Sequence, residues 1–162
     1  MKNKNLSFMT QAAMIAAIYV VLTYIFAPFS FGEVQVRISE ALTILPIFTP
    51  AAIPGLFVGC LIGNILGGAI LPDIVFGSIA TLIGAFFTWK LREQKPVVAT
   101  FPPIISNIII VPFVLRYGYG VTLPIPFMML TVGIGEVISC TVLGLIVYGA
   151  LKKYKSTLLR TA

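Results

Sequence analysis

Histidine is absent from this chain, and cysteine (two), tryptophan (one) and acids (five) are scarce across its 162 residues. Without histidine, most hydrolytic and metalloenzyme mechanisms lose their usual base or ligand. Cys60 and Cys140 both lie inside apolar segments with no paired spacing, which fits small apolar packing and neither a zinc site nor a disulfide framework. There is no G-x-x-x-x-G-K-[ST] phosphate loop, so the chain is not expected to hydrolyse ATP itself, and no H-E-x-x-H. These absences leave a binder or mover, with no catalytic residues, no cofactor and no metal expected.

What is present is apolar surface. At 59% hydrophobic and 10% charged residues, with a mean hydropathy of +1.05, residues 1–162 read as one all-α integral membrane domain in contact with lipid. Six apolar stretches separate, at 6–29, 34–48, 51–70, 73–89, 97–115 and 125–151. The first is too long for a signal-peptide core and is kept as a span. The second is short, and reads either as a short span or as half of a re-entrant pair with the third; six spans is the expectation. With both termini inside, Lys2, Lys4, Lys90, Arg92, Lys95, Lys152, Lys153, Lys155 and Arg160 face the cytoplasm, leaving Arg37 and Arg116 outside. The +6 charge is therefore a topology signal, and no nucleic-acid partner is implied.

The few polar residues then sort by depth. Glu136 lies eleven residues inside a segment with no other charge, about 16 Å below its outer end, and Asn107 lies about 12 Å below the outer end of the fifth segment. Glu40 is a turn or two below the outer end of the second, and Asp73 begins the fourth. All four fall in the outer half, which suggests an outward-open cavity lined by several helices. Each has a plainer reading as well. Glu136 pairing with Arg37 or a neighbouring helix, Asn107 as interhelical glue, Arg37 and Glu40 as a local ion pair and Asp73 as a helix cap all remain open, as does the role of Gln35 in the first outer loop. Gly133, Glu136, Cys140 and Gly144 share one helical face, so the acid has small neighbours. Pro102, Pro103 and Pro112 are expected to kink the fifth segment.

Two small-residue stripes concern packing. Gly55, Gly59, Gly63 and Gly67 step by four through the third segment. The pairs Ala12/Ala16 and Ala13/Ala17 give the first segment a smooth face, suited to packing within the chain or to docking another membrane subunit.

Several strings are unusual for generic apolar helices: 36–43 (VRISEALT), 50–55 (PAAIPG), 73–78 (DIVFGS), Ser106-Asn107 and 133–140 (GIGEVISC). Together, in order over nearly the whole length, they resemble the queuosine-precursor transporter family, the QueT-type S components of energy-coupling factor (ECF) transporters. The resemblance implies a six-helix substrate-binding subunit of the bacterial cytoplasmic membrane. Its partners would be a transmembrane coupling subunit (EcfT), docked through Ala12, Ala13, Ala16 and Ala17, and two cytoplasmic ATPases. The implied substrates are the 7-deazaguanines preQ1, preQ0 or queuine. On that reading Glu136 or Glu40 accepts the guanine-like donor edge, Asn107 donates to its carbonyl and Asp73 meets an aminomethyl cation. Aromatics such as Tyr24, Phe31, Phe76 and Tyr117 stack on the base. Arg37 holds Glu40 or shapes the loop 30–36, which closes over the site. The alternatives are an S component for another vitamin-like molecule, or a small ion-coupled carrier that uses Glu136 as its relay.

Overall fold

The computed structural model describes residues 4–30 and 36–154, and among these the fold is all-α with no strand. Beyond the single turn Ala27–Ser30, six helices follow one another. They are α1 (Lys4–Ile25), α2 (Ile38–Ile47), α3 (Ala52–Leu66), α4 (Leu71–Lys90), α5 (Pro96–Gly118) and α6 (Ile125–Tyr154). Helices α1, α4, α5 and α6 are long and apolar enough to cross a membrane, since 20 residues at 1.5 Å each reach the ~30 Å hydrocarbon thickness. Helices α2 and α3, of 10 and 15 residues, are shorter.

Helix α2 is the centre of the molecule. It packs against each of the other five helices, which otherwise meet as successive neighbours α1–α3, α3–α4, α4–α5 and α5–α6. It winds as a 3-10 helix over all ten residues, a length rarely sustained because the hydrogen-bond geometry is poorer. Two local features favour the tighter winding. Pro46 has no N–H to give to an α-helical ladder, and the Thr43 hydroxyl donates to the Glu40 carbonyl at 2.6 Å. The surroundings hold it in place: Ser39 through Ile44, Pro46 and Ile47 are all buried. At about 2.0 Å per residue, the helix reaches further than an α-helix of equal length.

Close backbone approach explains the glycine stripe. A methyl group added at Gly55 would lie 2.8 Å from the Ala12 carbonyl oxygen, and one at Gly59 would lie 2.8 Å from Tyr19 Cβ. A third, at Gly63, would meet Thr23 at 3.3 Å. The stripe is therefore the α1–α3 interface, a small-xxx-small seam inside the chain. Gly84 does the same for α4 and α5, where an added methyl would lie 2.6 Å from Pro103 Cα.

The prolines of α5 act as the sequence suggests, with a difference in place. Pro102 and Pro103 start its long stretch after a break at Thr100, where their missing N–H groups cost nothing. Pro112 lies inside the helix and precedes a wide i→i+5 turn at Val114–Gly118. A second wide stretch, Val137–Leu143, follows directly after Glu136 in α6; such turns are frequent at functional sites.

Candidate functional site

Glu40 and Glu136 arrive from different helices at one place. A carboxylate oxygen of each and the Cys140 sulfur lie within 4.8 Å of one another, and all three residues are buried. Helix α2 supplies Glu40; α6 supplies Glu136 and, one turn later, Cys140. The Cys140 thiol donates to Glu136 Oε2 at 3.2 Å and lies 3.5 Å from the Thr43 hydroxyl oxygen. On the other side, the Tyr19 hydroxyl of α1 donates to Glu40 Oε1 at 2.6 Å. The second oxygen, Glu40 Oε2, is buried with no hydrogen-bond partner among the described residues. Asn107, also buried, lies beside Glu136. The small neighbours expected around the acid are present in part. Gly133 abuts Ile108 on α5, and Gly144 faces the Ala41 carbonyl and Ile44 on α2.

Asp73 forms a second polar group at the start of α4. Among the described residues its carboxylate is met by tertiary contacts in place of the expected helix-capping bond. Arg37 Nη2 lies 3.8 Å from Asp73 Oδ1, with both side chains buried, and the Tyr119 hydroxyl donates to Oδ2 at 2.9 Å. Tyr119, beyond the end of α5, also accepts from the Ile70 N–H at 3.4 Å. Its hydroxyl titrates above the usual phenol range, raised by partial burial and then by the Asp73 carboxylate beside it. Gly77 leaves room for this group: a methyl there would sit 3.2 Å from Asp73 Oδ1 and 3.3 Å from Asn64 Nδ2.

The structure thus brings together Glu40, Glu136 and Asn107 in one cluster, and Arg37 with Asp73 in another. Attraction between Arg37, just before α2, and Glu40, three residues on, links the two. Phe76 and Tyr117 lie elsewhere. Both are exposed, at 51% and 78%, and line an apolar groove with Pro72, Ile109 and Phe113. Tyr24 is exposed as well, while Gln35 and Phe31 lie outside the described residues. The alanine pairs divide by face: Ala16 is buried and Ala12 half-buried against α3, whereas Ala13 and Ala17 are exposed.

Sequence reasoning passed over Tyr19, Thr43 and Tyr119. The first two carry a readable signal: Tyr19 follows Ala16 by three residues on the face of α1 that packs on the glycine stripe, and Thr43 follows Glu40 by three. For Tyr119, 46 residues from Asp73, local sequence gives none. Chemically, the main cluster is a set of buried acceptors with one amide, suited to a ligand rich in N–H donors. Among the described residues the buried Lys, Arg, Asp and Glu side chains are one cation, Arg37, and three acids, Glu40, Asp73 and Glu136.

Residues 9–153 match the family model described as QueT transporter. Among curated proteins, the queuosine precursor transporter QueT of Lactococcus lactis subsp. cremoris (strain MG1363) is 33% identical over 84 residues, which is 51% of this chain and 48% of that protein. The chain thus aligns with about half the length of this relative. No solved structure gives a significant match. With a family match over nearly its whole length, on an all-α fold of membrane-crossing helices, the chain belongs to the QueT transporter family.

Proposed function

We propose that this membrane transport protein is the substrate-binding S component of an ECF-type transporter, and that it captures a 7-deazaguanine precursor of queuosine. The convergence of buried Glu40 and Glu136 with Asn107 carries the reading. A guanine-like edge offers ring N–H and exocyclic amino donors, which Glu136 accepts as a bidentate pair worth about 1–3 kcal/mol of discrimination. Its carbonyl oxygen takes the Asn107 amide. Three buried acids against one buried cation favour a substrate that brings positive charge, because an uncompensated buried charge is costly. The aminomethyl compound preQ1 is therefore preferred over the nitrile preQ0.

Both termini lie on the inner side of a bacterial cytoplasmic membrane, following the positive-inside bias. Energy comes from two ATPases through a transmembrane coupling subunit. The exposed Ala13/Ala17 face of α1 is its docking surface, since Ala12 and Ala16 are committed to α3.

Calorimetric titration of detergent-purified protein with preQ1, preQ0, queuine and guanine, with riboflavin and thiamine as controls, tests the reading. Submicromolar preQ1 binding is expected, weakened at least tenfold (~1.4 kcal/mol) by Glu136→Gln. Binding of a vitamin control in place of every deazaguanine would assign the site to another S-component substrate. Absence of any organic ligand from folded protein, with ion currents in liposomes, would instead favour the ion-coupled alternative.

A further inference from the structure

Along the seam between α4 and α5 runs an apolar groove of about 760 Å³, bounded by Ile83, Phe87, Lys90, Pro102, Ile105 and Ile109. Apart from Lys90, nothing polar in its walls asks for a polar ligand: the Ser106 hydroxyl is already spent on the Pro102 carbonyl, at 2.9 Å, within its own helix. Helices α4 and α5 approach closely at Gly84 and Pro103, and the groove borders that contact at Ile83 and Pro102. It shares Ile109 and Ile110 with the outer groove lined by Phe76, Phe113 and Tyr117. The combined furrow runs from Lys90 to Pro72, eighteen residues or about 27 Å, close to the full thickness of the hydrocarbon.

The charge at its mouth is one-sided. Lys90 is exposed at the lip, its ammonium 5.4 Å over the Phe86 ring. Arg92 and Lys95 follow in the α4–α5 turn, with Glu93 as the opposing charge, 3.8 Å from Arg92. An apolar channel that ends in an excess of cations at the membrane surface is complementary to an acyl chain ending in a phosphate. We propose that this groove is a binding site for an anionic phospholipid of the leaflet on the Lys90 side, with an acyl chain along Ile83 and Ile105 and its phosphate against Lys90. This site is separate from the Glu40–Glu136 cluster and does not depend on what that cluster binds.

The test is native mass spectrometry of the full chain, released from vesicles of equal phosphatidylglycerol and phosphatidylcholine. The wild type is expected to retain phosphatidylglycerol about fivefold over phosphatidylcholine, the preference one membrane-surface cation supplies. Lys90→Gln removes that preference while lipid of both kinds stays bound; Ile105→Trp, at an exposed position, fills the groove and lowers retention of both. Equal retention of the two lipids by the wild type, or an unchanged preference in Lys90→Gln, would overturn the proposal. So would cross-linking from Ile105→Cys to a second polypeptide and not to lipid.

Discussion

The Tyr19 hydroxyl lies 2.6 Å from Glu40 Oε1 and ties α1 to α2 across 21 residues of sequence. It is the one hydrogen bond to that carboxylate from a side chain among the described residues, since Oε2 has no partner there. Tyr19→Phe removes this donor and leaves Glu40 with a buried acceptor unsatisfied, at a cost of roughly 1–3 kcal/mol. Thermal unfolding in detergent reads the loss directly, because Cys60 and Cys140 are buried and react with a thiol-specific dye only as the bundle opens. An unchanged melting temperature would mean that Glu40 is held by other contacts.

Adjacent alanines on α1 separate folding from docking. Ala16→Trp intrudes on α3 and is expected to give little folded protein. Ala17→Trp, on the exposed face, leaves deazaguanine affinity within about twofold of wild type (below ~0.5 kcal/mol) yet abolishes uptake by cells that hold the complete transporter. Normal uptake with Ala17→Trp would move the docking surface off this face.

The glycines give a graded series. Gly59→Ala places a methyl 2.8 Å from Tyr19 Cβ and 3.1 Å from Ala16 Cα, a backbone clash that costs about 1–3 kcal/mol because the two helices must separate. Gly149→Ala meets nothing within 4 Å and is expected to be neutral or slightly stabilising. Comparison of their melting temperatures with wild type checks both, and equal effects at the two positions would contradict the seam.

Tyr119 gives the Arg37–Asp73 cluster a pH signature. Its ionisation lies above the ordinary phenol value because burial and then Asp73 disfavour the phenolate. A group whose folded pKa is raised contributes stability that is complete below its unfolded pKa, about 10, and is lost as pH rises through the folded value. The melting difference between wild type and Tyr119→Phe should therefore hold steady from pH 6 to 9 and disappear in more alkaline solution. A difference that grows with pH would show that the Tyr119–Asp73 bond is not its source.

Much of this arrangement was legible before any coordinates. The scarcity of polar residues in apolar segments made Glu40, Asp73, Asn107 and Glu136 stand out, and all four are buried. The spacing of Gly55, Gly59 and Gly63 marked a seam, though not that its partner is the Ala12/Ala16 face of α1. Depth along a helix follows from counting residues, whereas rotation about each axis follows from packing between elements far apart in sequence. That is why Phe76 and Tyr117, at suitable heights, turn out to face an external groove, and why Asp73, at the position of a helix cap, bonds to Tyr119 instead. The single-chain pattern of Ile38–Ile47 likewise carried no sign of 3-10 winding, which its burial among five neighbours sustains.

The wide stretch Val137–Leu143 makes α6 a helix of two phases. Each residue in an α-helix advances the azimuth by about 100°, so a local widening between Glu136 and the inner half offsets the two halves relative to a regular helix. The acid can then look into the bundle centre while the C-terminal half, with Val147 and Tyr148 packed near Phe48, keeps its own orientation. Deleting one residue within 137–143 would lock the halves into a common phase, forcing either the carboxylate or the C-terminal anchor to swing away. Helix α6 therefore behaves as two independently aimed rods that share one backbone.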